Sequence, residues 1–448
     1  MSSRHSVSEA IPSAVVDELH PALTDGQAFA EADRCLECGG PEAPAPCVVE
    51  CPADVDIPMF VGALARGDFD TAARTVFSAN LLSGTCGRVC PVEVLCESVC
   101  VLEREGRRPI EIGRLHRHVG EWGLTQRQTW PAVAPPREGR VAVLGAGPAG
   151  LVCAGELATR GYSVTVYDSR REPGGLVRYA IAPYRQLNDP LGAEAHMLTE
   201  LGVQLRLGVS IDSELALRRL EAEADAIVLA VGMGPDTEVD YPGDELAGVW
   251  SSLRFIDEVK AGRVSDIGRQ VVVIGGGNTA VDAARIAVRL GAVNVSMVYR
   301  RSEAEMPAYP HEVAEARAEG VHFEWLTEPV RFLGTKHLEA VQCRRTRLRR
   351  DGPDSRPRPE PLEGTEFLLA ADAVIKAIGQ QPRRELLGWV DGLMLRDGKP
   401  EVDPDTGQTA NPKYFAGGDV INGGATVVEA VRWGKLIARG IAAALESR

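Results

Sequence analysis

A chain of 448 residues, 44% hydrophobic and 25% charged, is long enough for roughly three domains with ordinary buried cores. Its net charge of -14 argues against nucleic acid or an anionic membrane surface as the main partner. The first twenty residues contain no apolar h-region and no apolar run is long enough to span a bilayer, which predicts a cytoplasmic protein with no secretory signal and no membrane span.

Eight of the ten cysteines fall between Cys35 and Cys100, while Cys153 and Cys343 stand alone. In a cytosolic chain such clustering favours metal over disulfides. The first group reads Cys35-x2-Cys38-x8-Cys47-x3-Cys51-Pro52, and the second Cys86-x3-Cys90-Pro91 followed by Cys96-x3-Cys100. Residues 57–80 between them carry helical patterning. Eight thiols match two four-cysteine sites in number. Cysteine followed by proline also occurs in ferredoxins, where such a cysteine can ligate the other cluster, so two 4Fe-4S clusters are favoured. Zinc is the rival, but structural zinc modules usually show two C-x2-C knuckles and one is present here.

Residues 130–139 (WPAVAPPREG) read as a semi-rigid linker. The next stretch, RVAVLGAGPAGLVCAGELATRGYSVTVYD, runs from an apolar strand at 141–144 into G-x-G-x-x-G, a helix, and a second strand ending in an acid. The three glycines, Gly145, Gly147 and Gly150, with Pro148 and Ala149 among them, permit a tight turn and a close backbone approach to a pyrophosphate at a helix N-terminus. Asp168 stands where a carboxylate accepts hydrogen bonds from a ribose. Pro173-Gly174-Gly175-Leu176 follows, and then RYAIAPYRQ with Arg185.

The strands at 224–232 (ADAIVLAVG) and 371–379 (ADAVIKAIG) are near-repeats, and they are read as the two crossings between a flavin domain and an inserted nucleotide domain. Within the insert, Gly275-Gly276-Gly277-Asn278-Thr279-Ala280 is a second fingerprint between a strand and a helix. Its following strand ends in Arg300-Arg301 rather than an acid, a pattern that favours the 2'-phosphate of NADPH over the free ribose of NADH. Ala377 and Gly379 close the nucleotide site at the return strand. The basic run RRTRLRR at 344–350 predicts a charged hairpin, not a nucleic-acid site. NPKYFAGGD then brings Gly418 and Asp419, and Ala425, Thr426 and Val427 begin a final helix.

Several segments carry a resemblance. RCLECG, CVVECP, GTCGRVCPVEVLCESVC, RPIEIGRLHRH, GGGNTAVDAAR and YRRSEAEMPA resemble the small subunit of glutamate synthase and the N-terminal half of dihydropyrimidine dehydrogenase. The resemblance covers nearly the whole chain from about Arg34. It implies an α/β fold: an FAD domain with an inserted NADPH domain, both Rossmann-like, preceded by a mainly α-helical iron–sulfur domain. The domains expected are 1–129 (two 4Fe-4S clusters), the linker 130–139, 140–236 (FAD, first part), 237–376 (NADPH) and 377–448 (FAD, second part).

The resemblance places Cys35, Cys38, Cys47 and Cys100 on one cluster, and Cys51, Cys90 and Cys96 on the other. In the dihydropyrimidine dehydrogenase branch the fourth ligand of the second cluster is a glutamine at the position held here by His116. Cys86 is the alternative ligand. The Cys38-to-Cys47 gap, filled by GGPEAPAP, is longer than usual for the family. In the resembling proteins the Gly174-Gly175 pair passes beneath the flavin, Arg185 is a flavin or phosphate contact, and Asp419 binds the ribityl or pyrophosphate region. The helix after Thr426 points its amides at the flavin's pyrimidine edge.

The expectation is an NADPH-dependent flavoprotein that takes a hydride onto FAD and passes single electrons through the clusters, with no side-chain acid or base assigned. The flavin domain lacks a C-x2-C pair, which argues against thioredoxin-reductase chemistry. The acceptor expected is a catalytic partner subunit in a hetero-oligomer, or ferredoxin. The alternatives are a self-contained NAD(P)H:acceptor reductase and a zinc-bearing nucleotide-sensing binding protein.

Overall fold

The computed structural model describes residues 11–40, 42–187, 190–350 and 357–447. The chain divides into two compact units. One comprises Leu19–Arg178, Asn188–Gly234 and Pro382–Arg448; the other comprises Met1–Glu18, Tyr179–Leu187 and Pro235–Gln381.

In the first unit, strand Arg140–Leu144 is central to a five-stranded parallel sheet in the order Tyr414–Ala416, Ala226–Leu229, Arg140–Leu144, Ser163–Asp168, Gln204–Leu207. Parallel strands are covered on both faces, which is why the central ones are continuous apolar runs such as VAVL and AIVL. Helix Pro148–Thr159 follows the fingerprint, and helix Val427–Glu446 packs on it. The two approach so closely that a Cβ on Gly434 would lie 2.7 Å from the Ala149 carbonyl oxygen.

The cysteine-rich region is helical, with its main helices at Ile57–Ala65, Phe69–Ala79, Ser83–Val89 and Ile112–Leu124. The helical stretch expected over 57–80 is two helices. Gly67 takes φ +74°, and the Asp68 carboxylate caps the second helix by accepting from Thr71 N at 3.0 Å. The iron–sulfur and flavin regions, expected as separate domains, share one core. Phe60, Phe77 and Leu81 belong to the same buried cluster as Val143, Leu151 and Ile437. The expected linker is tied to the flavin fold, since Ala134 N donates to Thr159 O and Arg137 N to Gly161 O.

The second unit repeats the parallel order: Val249–Ser251, Ala373–Lys376, Gln270–Ile274, Asn294–Tyr299, His322–Trp325. The basic run lies in strand Leu338–Arg349, paired antiparallel with Thr327–Gly334, Arg358–Pro361 and Phe367–Ala370. Its arginines meet carboxylates, Arg344 with Glu328, Arg345 with Glu324, and Arg347 and Arg349 with Glu360, so the charged-hairpin expectation holds. This unit is slightly wider than the expected 237–376 and also takes in 179–187. The reason is a buried polar set: Tyr184 OH donates to Asp282 Oδ1 at 2.5 Å, and Lys260 Nζ donates to the carbonyls of Ile181 and Gln186.

The near-repeats at 224–232 and 371–379 do more than mark crossings. In each, the aspartate accepts from the first amide of the fingerprint strand, Asp225 from Arg140 N (2.8 Å) and Asp372 from Gln270 N (2.9 Å). In each, the alanine carbonyl abuts the first fingerprint glycine. A Cβ on Gly145 would lie 2.2 Å from Ala230 O, and one on Gly275 would lie 2.2 Å from Ala377 O.

Candidate functional site

The dinucleotide turns sit at the carboxyl ends of the central strands, where open α/β sheets bind nucleotides. Gly145 has φ +106°, a conformation only glycine adopts freely. Gly147 differs in kind: a Cβ there would meet only Gly175 Cα, at 4.0 Å. No protein atom forbids a side chain at Gly147; the open space above it is what a pyrophosphate would take. Pro148 and Ala149 open the helix, and Gly150 is required by packing, since its Cβ would fall 2.0 Å from Gly145 O. Asp168 accepts from Ala146 N (2.7 Å) and Arg170 N (2.8 Å), so it fixes the turn.

Gly174 (φ +119°) and Gly175 (φ +53°) bring the chain back against Gly147, and Leu176 starts the following short helix. At the far end of the chain, Asp419 Oδ1 accepts from Ala425 N (3.1 Å), and burial raises its carboxyl. Thr426 caps the last helix by accepting from Glu429 N, leaving Val427 in the first turn. Arg185 belongs to the second unit, where its guanidinium pairs with Asp282 (3.0 Å) and Glu312 (2.9 Å).

In the second unit, a Cβ on Gly277 would meet nothing within 4 Å, the same open approach as at Gly147. Gly276 is held by the Tyr299 ring instead. Asn278 Oδ1 accepts from Tyr309 N at 2.9 Å, Thr279 is exposed in the first helical turn, and Ala280 is buried. Gly379 O accepts from Thr237 N at 2.7 Å. The paired arginines are not equivalent. Arg301 Nε donates to Pro357 O (3.0 Å), whereas Arg300 has an exposed side chain and uses its carbonyl to accept from Thr346 Oγ.

The cysteines divide four and four. Cys35, Cys38, Cys47 and Cys100 line one cavity, together with Leu36, Pro46 and Pro58. Cys51, Cys86, Cys90 and Cys96 line a second, with His116 and Val428. Ile57 and Ile112 line both, so the cavities share a wall. Burial pushes the Cys35, Cys47, Cys51 and Cys96 thiols up, Cys47 to about 12. Cys90 is raised first by its hydrogen bond with Cys86, which puts the Cys86 thiol within reach of the same centre. His116 is half-buried with its Nε2 fully covered, desolvation lowers its imidazole to about 4, and Nε2 has no hydrogen-bond partner among the described residues. Among the described residues, no three His, Cys, Asp or Glu side chains converge on the point a single metal ion would occupy. Four thiols around each cavity, with a neutral imidazole on the second, fit a thiolate-ligated cluster.

Residues 139–434 match the pyridine nucleotide-disulphide oxidoreductase family, and residues 13–128 match domain II of dihydropyrimidine dehydrogenase, described as a 4Fe-4S cluster domain. The NADPH-dependent glutamate synthase small chain of Halomonas elongata is 34% identical over 95% of this chain and 92% of its own length. The chain belongs to this family of FAD and iron–sulfur oxidoreductases. A putative oxidoreductase of Escherichia coli, AegA, is 34% identical over 95% of this chain and 67% of its own length. The β subunit of an NADP-dependent formate dehydrogenase from Moorella thermoacetica is 35% identical over 90% of this chain and 60% of its own. Among solved structures, Mycobacterium tuberculosis FprA in complex with NADPH aligns over 69% of this chain and 86% of its own with a TM-score of 0.55 at 20% identity, a likeness of fold.

As a member of the family the chain is an NAD(P)H-dependent oxidoreductase that uses FAD and NADPH and carries iron–sulfur chemistry. No helix among the described residues is long and apolar enough to cross a membrane. Sequence reasoning missed two side chains at this site. Arg383, exposed at the surface, donates from Nε to Val231 O (3.0 Å). Glu194 reaches Thr85, next to Cys86, with bonds of 2.8 and 2.5 Å. Neither sits in a motif, and no spacing in the sequence singles them out.

Proposed function

We propose that this chain is an electron-transfer subunit. It takes a hydride from NADPH onto FAD and delivers single electrons through two 4Fe-4S clusters to a partner subunit. FAD supplies the two-electron to one-electron conversion, and the clusters supply the one-electron relay. The observation that carries the reading is the continuity of one unit. Val428, in the first turn of the helix that follows the Gly418-Asp419 turn, lines the second cysteine cavity, and that cavity shares Ile57 and Ile112 with the first.

The side chains have separate tasks. The Gly145 and Gly147 turn admits the FAD pyrophosphate, and Asp168 holds that turn. Arg300 supplies a cation for the 2'-phosphate of NADPH. Cys35, Cys38, Cys47 and Cys100 hold the outer cluster, and Cys51, Cys90 and Cys96 hold the inner one with His116 or Cys86. Relatives named as glutamate synthase small chains and as a formate dehydrogenase β subunit act within larger enzymes, which supports a dedicated partner.

Anaerobically purified protein is expected to contain one FAD and about eight iron and eight acid-labile sulfide per chain. NADPH is expected to bleach both the flavin and the cluster absorbance. A colourless preparation holding zinc would overturn the reading.

A further inference from the structure

We infer that the mouth of the first cysteine cavity is a docking surface for a redox protein whose contact face is apolar at its centre and rimmed by Lys and Arg. The inference rests on the two-cluster reading and names the partner's surface chemistry. The four thiols of the first cavity are each partly exposed, whereas Cys86 and Cys96 of the second are buried. Cys51 and Cys90 of the second are also partly exposed, so the first cavity is the one with all four thiols near the surface.

Large apolar side chains stand exposed beside it. Leu36, on the cavity wall, is 52% exposed, and Val49, one turn after the wall residue Pro46 on the same helix face, is 68% exposed. Exposed apolar residues gathered at one mouth mark an interaction site more than scattered ones do.

The charge around the mouth is one-sided. Residues 36–59 contain five acids, Glu37, Glu42, Glu50, Asp54 and Asp56, and no lysine or arginine. Glu37 is offset by Arg66 (3.6 Å), Asp54 lies 3.8 Å from Lys435, and Asp56 caps its helix at Met59 N. Glu42 and Glu50 are exposed. The opposite rim is balanced, with Arg107 against Glu105 and Arg108 against Glu31 and Glu111. An acidic rim around an apolar centre steers a basic partner and repels an acidic one, including an acidic ferredoxin or a second copy of this chain through the same face.

The test uses the holoprotein under anaerobic conditions with two protein probes, basic cytochrome c and an acidic plant-type ferredoxin. The cytochrome c reduction rate is expected to fall ~10-fold as salt rises from about 20 to about 300 mM, while the ferredoxin rate rises or stays flat. The double variant Glu42→Lys/Glu50→Lys is expected to lower the low-salt cytochrome c rate several-fold and flatten its salt dependence, and Val49→Ser to lower it at all salts. NADPH bleaching of the clusters is expected to be unchanged in both. A salt-independent cytochrome c rate in the unmodified protein would overturn the inference, as would a ferredoxin rate that falls with salt, or a dimer in sedimentation that Glu42→Lys/Glu50→Lys abolishes. Those outcomes with both clusters still bleached count against the docking surface alone, whereas absent clusters count against the electron-transfer reading.

Discussion

Replacing Glu194 by alanine should loosen the helix that carries Cys86 and leads into Cys90. Glu194 is fully buried on helix Leu191–Glu200, and its two oxygens accept from Thr85 N (2.8 Å) and Thr85 Oγ (2.5 Å). Thr85 lies at the start of helix Ser83–Val89, whose N-cap, Leu82, offers no side-chain acceptor. Glu194 therefore does from a distance what a capping residue does locally. Glu194→Ala leaves a buried amide and a buried hydroxyl without this acceptor, at ~1–3 kcal/mol each, so a loss of about 2–6 kcal/mol is expected. Glu194→Gln keeps an acceptor for the amide and can donate to Thr85 Oγ, so its loss should be far smaller at pH 7.

The pH dependence separates charge from shape. Burial raises the Glu194 carboxyl to about 7 from the 4.5 of an exposed glutamate. Between those values the folded state binds more protons than the unfolded state, so this group's contribution falls as pH rises through that window. The full shift corresponds to about 3 kcal/mol as an upper bound. Urea unfolding followed by circular dichroism from pH 5 to pH 8 should show Glu194→Gln gaining on the unmodified protein across that range and levelling off above about pH 8. An alanine variant within about 0.5 kcal/mol of the unmodified protein, or a glutamine variant with an unaltered pH slope, would refute the reasoning.

Five other substitutions probe the cofactor sites. His116→Ala is expected to change or remove one of two cluster signals in low-temperature electron paramagnetic resonance and Cys86→Ala to leave both; the reverse pattern makes Cys86 the ligand. Gly147→Ala is expected to fold with an unchanged thermal midpoint when FAD-free, because its Cβ has room, yet to bind FAD at least ~10-fold more weakly in a fluorescence titration; retained FAD affinity would place the pyrophosphate elsewhere. Arg300→Ala is expected to raise the KM for NADPH ~10- to 100-fold without changing that for NADH, whereas Arg301→Ala, whose guanidinium already serves Pro357 O, should change it less; equal effects would remove the distinction.

Both sheets were legible because buried parallel strands are written as apolar runs and because glycine turns have a fixed spacing. The resemblance divided the cysteines four and three, with His116 or Cys86 completing the second set, and the second cavity is lined by both His116 and Cys86. What could not be read was whatever depends on partners distant in sequence. Arg185 reads as a phosphate or flavin contact from its position after the glycine pair, but its ion pairs with Asp282 and Glu312, about a hundred residues on, have no local signal. The core shared by the cysteine-rich and flavin regions went unread for the same reason. Leu81 packs against the position of Gly155, where a Cβ would lie 2.5 Å from both Leu81 and Leu198, and no local pattern announces such a contact. The consequence bears on mechanism. A relay loses rate steeply if its centres drift apart, and a shared core with a buried Glu194–Thr85 tether holds the cysteine helices to the flavin fold as one body. The physical role of that tether is to fix distance rather than to carry charge, which is why its neutral isostere, and not alanine, should preserve electron transfer.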